Sequence, residues 1–83
     1  MEDGPFYFLV VNHRMAVRLE PSLNSPWSSE VVLNVGEVHE ASQRIRDGDS
    51  QIFYRLANNS GWAFKHTADG DETAKEIPRP YFT

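Results

Sequence analysis

The chain has 83 residues, no cysteine, and a formal charge of −4 from twelve Asp and Glu against eight Lys and Arg. That length holds one hydrophobic core, and the missing cysteines exclude a disulfide framework, a thiolate metal site and a cysteine nucleophile. Two Trp, three Tyr and five Phe supply apolar surface enough to offset ordering entropy, while the acidic balance repels nucleic acid unless the arginines cluster.

Phe6 to Val11, an aromatic and branched run behind the breaker Gly4-Pro5, predicts the first strand. Asn12-His13-Arg14 reads as a bend, and Met15 to Leu19 alternates as a short second strand. Residues 20–30 hold two prolines and four serines, so a long first loop is expected there. In Val31 to Val35, closed by Gly36, period two places Val31, Leu33 and Val35 on one half-buried face. Val38 to Ile45 predicts a more polar strand. Asp47-Gly48, within Arg46 to Ser50, marks a hairpin turn because both residue types tolerate positive φ. Gln51 to Ala57 returns with Ile52, Tyr54 and Leu56 on one side and Phe53 and Arg55 on the other. Asn58 to Gly61 is a second tight turn, and Gly61 to Lys65 is the closing strand.

Thr67 to Glu76 is polar with no apolar face and predicts loop or tail. Ile77 to Phe82 carries two prolines that restrict it to an extended or edge conformation. No helical periodicity runs over three turns and no repeat is present. The expected architecture is all-β: a small five- to six-stranded barrel over residues 1–66. A polar, proline-containing segment, 67–83, either packs back onto it or extends away.

Val17-Arg18-Leu19-Glu20-Pro21-Ser22-Leu23-Asn24-Ser25, then Val31-Val32-Leu33-Asn34-Val35-Gly36-Glu37-Val38, then Phe53-Tyr54-Arg55-Leu56 and Gly61-Trp62-Ala63-Phe64 keep an order and spacing that resembles the bacterial-type SH3 family, SH3b. The resemblance covers a little over half the chain and implies an SH3-like barrel. Phe53 stands where that family has Trp and Ala63 where it has Val, and Pro26-Trp27 is extra. The "ALYDY"-like segment of eukaryotic SH3 domains is missing, so recognition of Pro-x-x-Pro ligands does not carry over.

Catalysis needs groups within hydrogen-bond reach of one another. His13, His39 and His66 fall at a bend, on a polar strand face and after the last predicted strand, in no such constellation, and an enzyme is not expected. Asp47-Gly48-Asp49 and Asp69-Gly70-Asp71-Glu72 lack the ligand series and closing glutamate of a calcium loop and read as turns. The sequon Asn58-Asn59-Ser60 is accounted for by its turn. No cofactor or metal is expected. Arg14, Arg18, Arg44, Arg46 and Arg55 are scattered, which disfavours a nucleic-acid role.

Aromatic side chains are the candidate binding residues. If Ala63 takes the core position, strand parity turns Trp62 and Phe64 outward; Phe53 joins them by the parity of its own strand, and Trp27 leans over from the long loop. These four rings either form an apolar groove for an extended ligand or seal a core too small to spare them. Glu20, Glu30, Glu37, Glu40, Asp47 and Asp49 favour a basic partner if they gather nearby. The function expected is a monomeric interaction or targeting module, one domain of a larger protein, which binds a peptide or packs on a neighbouring domain in cis. The alternative the resemblance implies is a peptidoglycan-targeting domain of a hydrolase. The acidic start Met1-Glu2-Asp3-Gly4 and the absence of a run of ~20 apolar residues point away from a secretory leader and a membrane span; with the missing cysteines they fit the cytoplasm, though the location stays open.

Overall fold

Among the described residues seven strands alternate with turns and loops: β1 (Glu2–Val10), β2 (Met15–Arg18), β3 (Trp27–Leu33), β4 (Val38–Asp47), β5 (Gln51–Leu56), β6 (Trp62–Phe64) and β7 (Ala74–Ile77). The computed structural model describes residues 1–48 and 50–79, the side chain of Ser29 excepted. Asp49 of the predicted hairpin turn and the Pro80-Tyr81-Phe82 end of the proline segment lie outside the described residues. Among the described residues there is no helix, and the fold is all-β as the alternation of strand and turn signals predicts.

The strands form one antiparallel sheet in the order β3-β2-β6-β5-β4-β1-β7. Its edge strands, β3 and β7, do not pair with each other, so the sheet is not closed along its length. It is nonetheless rolled. The backbone N–H groups of Thr73 and Ala74 donate to Lys65 O, at 2.7 and 3.3 Å, and His66 bridges Glu72. These bonds bring the start of β7 back to the end of β6 and give a barrel-like fold.

Inward side chains build that interior. Phe8, Val10, Val17, Tyr54, Ala63 and Ala74 are all buried, and the Phe8 and Tyr54 rings stack at 5.1 Å. A stacked aromatic pair adds about 0.5–1.5 kcal/mol to the burial of its area. Burial also pushes the Tyr54 hydroxyl well above the ordinary phenol range.

Three expectations are corrected. Trp27 opens β3 rather than lying in the long loop, because it pairs with Arg18 of β2. Leu33 is in the core and Val31 packs against it, but Val35 is 56% exposed, since β3 ends at Leu33 and Val35 falls in the turn before Gly36. The polar stretch ending at Glu76 is not all loop. Ala74–Ile77 pairs with β1, and Thr73, whose hydroxyl donates to Phe64 O at 2.8 Å, is 1% exposed. One buried Thr and one buried Ala anchor this strand, too few apolar positions to show as a period.

Ion pairs tie the ends of β1, β4 and β7 together. The register sets Glu2 opposite Arg44, and the guanidinium donates to both Glu2 carboxylate oxygens, at 3.1 and 2.9 Å, and to Glu76 at 2.6 Å. It also lies 4.1 Å from the Phe6 ring centroid, and Arg46 adds a bond to Glu2 at 2.9 Å. Hydrogen bonds from Arg44, then Arg46, hold the Glu2 carboxyl at about 2 against an ordinary 4.5. Hydrogen bonds from Asn34 N–H and His39 lower Glu37, and a bond from Lys65 lowers Glu72. A carboxylate whose pKa falls on folding stabilises the native state above its unfolded pKa, and that stability is lost as pH falls toward the folded value. The urea midpoint should therefore decline on acidification from about 4.5 to about 2. Glu2→Gln should be less stable than wild type at neutral pH, and the gap should close towards pH 2; a gap independent of pH would contradict the pairing.

Candidate functional site

The four aromatics divide into two pairs. Phe53 is 1% and Phe64 6% exposed, whereas Trp27 is 62% exposed and Trp62 is half-buried against the core. The expectation that Phe53 and Phe64 face outward is corrected: they seal the core. They sit opposite each other across β5 and β6, on the face away from the Tyr54 and Ala63 pair, as parity requires. On that second face Arg18 lies over Phe64. The Arg18 guanidinium carbon lies 5.4 Å from the Phe64 ring centroid, Arg18 Nη1 donates weakly to Ser25 O at 3.4 Å, and Leu23 of the long loop packs against the core. Parity alone assigns a face; a side chain from a neighbouring strand laid over that face can still bury what it holds.

Trp27 and Trp62 belong to a row of side chains that crosses six strands. Register places Trp27 opposite Arg18, Arg18 opposite Trp62, Trp62 opposite Arg55, Arg55 opposite Gln43 and Gln43 opposite Asp3. The buried neighbours of these residues, Val17, Ala63, Tyr54 and Leu56, point the other way, which fixes the row on the outer surface. The Arg18 guanidinium carbon is 4.9 Å from the Trp27 ring centroid, a cation–π contact of about 0.5–1 kcal/mol at such a site. Arg55 donates to Gln43 Oε1 and Gln43 to Asp3 Oδ1, each at 3.2 Å. Arg18 Nε is buried without a hydrogen-bond partner. An exposed indole and a guanidinium thus stand side by side on one face.

The arginine partners of this row were not legible in the sequence. Arg18 and Arg55 lie 37 positions apart, and only the strand order β2-β6-β5 sets both against Trp62. Arg44 and Arg46 go instead to Glu2 and Glu76, so Arg14, Arg18, Arg44, Arg46 and Arg55 do not gather into one basic patch.

A groove of about 440 Å³ opens elsewhere, between β3 and the start of β4 with the β5–β6 turn, and Glu30, Glu37 and Glu40 border it. These are three of the acids expected to flank the aromatics; they gather around aliphatic side chains instead. Among the histidines, His13 Nε2 is 3.4 Å from Asp71, His39 Nε2 is 3.1 Å from Glu37, and His66 is held through its backbone by Gln51. Among the described residues no histidine is hydrogen-bonded to a hydroxyl.

No protein-family model, curated protein or solved structure matches the chain. Its function is read from its own surface.

Proposed function

We propose that this chain is a non-catalytic interaction module, an SH3-like barrel serving as one domain of a larger protein, which binds an extended peptide or a neighbouring domain through the outer face around Trp27 and Trp62. The observation that carries the reading is Trp27, a large ring left 62% exposed and held on edge strand β3 by Arg18. Trp and Arg are the residue types over-represented where binding energy concentrates, because each combines a large apolar area with oriented donors. The resemblance of the sequence to the SH3b family supports the same reading.

Peptides selected from a displayed random library on the wild-type domain should lose at least about tenfold in affinity with Trp27→Ala, the loss of one centrally placed ring. The β-type circular dichroism should be retained and stability should fall by under about 1 kcal/mol, as for exposed sites. Undiminished binding by a folded Trp27→Ala would remove this face from the site. Retention of the domain on purified sacculi, with no peptide selected, would assign it instead to wall targeting.

A further inference from the structure

We propose that the groove beside β3 is a second binding site, separate from the tryptophan face, and that it takes an extended partner segment of alternating Lys or Arg and branched aliphatic residues, paired as an added strand on β3. Four consecutive residues, Glu30 to Leu33, line it. Successive side chains of a strand point to opposite faces, so a run of neighbours lines a groove only where the groove lies along the strand's edge. Among the described residues β3 pairs with β2 alone, which leaves its other edge open. An open edge offers backbone donors and acceptors to an incoming strand.

The groove's chemistry selects what enters. Leu33 and Leu56, both in the core, form an aliphatic floor, and Val32, Val35 and Val38 stand exposed on and around β3 and the following turn. Among the described residues, the only formally charged side chains lining it are Glu30, Glu37 and Glu40, with no Lys or Arg. Glu37 is kept ionised by the Asn34 N–H, at 2.9 Å, and by His39. Carboxylates around an aliphatic floor complement a strand with cations on one face and branched carbons on the other. The net charge of −4 draws such a segment in. A second copy of this chain is disfavoured as occupant, because edge-to-edge pairing of two β3 strands sets Glu30 of one against Glu30 of the other. The volume of about 440 Å³ lies within the ~300–1,000 Å³ typical of ligand sites.

The test is a titration of the isotopically labelled protein with a hexapeptide of alternating lysine and valine, blocked at both ends, and with its glutamate-for-lysine counterpart. The lysine peptide should move the amide resonances of residues 30–33 and 37–40 and the glutamate peptide should not. Combining Glu30→Gln with Glu40→Gln, both exposed positions, should weaken the lysine peptide by roughly fivefold through the loss of two part-screened ion pairs. Trp27→Ala should bind it as wild type does, which separates failure of this site from failure of the tryptophan face. Equal shifts with both peptides, shifts confined to other strands, full affinity in the double variant, or a dimer joined through β3 in sedimentation would each overturn the proposal.

Discussion

Phe53→Ala is expected to cost about 3–5 kcal/mol of folding free energy, the range for truncating a buried aromatic. The ring is 1% exposed and faces Phe64 across two central strands, so its removal leaves a cavity that the hydrogen-bonded backbone of β5 and β6 cannot collapse to fill. A domain of this size has only about 5–15 kcal/mol in total, so the variant should show a much lower urea midpoint and lose part of its folded population at elevated temperature. The paired comparison with Trp27→Ala makes the result specific. Both changes delete a large aromatic, yet the exposed one should shift the midpoint little. Equal losses would mean that Trp27 is structural and the division of the four rings is wrong.

Gly61→Ala is expected to be nearly as damaging, at about 2–4 kcal/mol, from backbone strain and a steric clash together. Gly61 has φ +142°, and a Cβ there would collide with Arg18 O and Val17 Cγ1. The place matters because β2 joins the rest of the sheet through the Arg18 and Trp62 pair, beside this glycine. Pushing the chains apart would loosen β2 and β3 together and move Arg18 away from Trp27. Gly36→Ala is the control: it also has positive φ, but nothing stands within 4 Å of an added Cβ. Its cost should stay near about 1 kcal/mol. Chemical denaturation of the two variants checks both, and similar midpoints would contradict the close approach of β2 to the β5–β6 turn.

Where a segment carried its own signal, the sequence was a good guide. Phe8 and Val10, Met15 and Val17, and Ile52, Tyr54 and Leu56 alternate as their strands require, and the turn opened by Gly48 behind Asp47 and that at Asn58 to Gly61 lie close to where their residues place them. What escaped depended on non-local contacts. β7 has little local pattern and exists because β1 offers it an edge. Phe53 and Phe64 lie on the outer parity of their strands yet belong to the buried core, and Arg18 lies over Phe64. The same limit applies to the candidate sites. Trp27 and Trp62 could be named from the sequence, but their arginine partners arise from strand order, and the acidic groove arises from β3 and β4 parting after the turn that joins them.

The central claim is that the indole rings of Trp27 and Trp62 meet a partner while Phe53 and Phe64 hold the core. Its most direct test follows the two indole N–H resonances during titration with pooled random peptides. Both indole signals and the Arg18 and Arg55 side-chain signals should shift together, with the Phe53 and Phe64 amides little changed. Indole signals that stay fixed while other residues respond would contradict it.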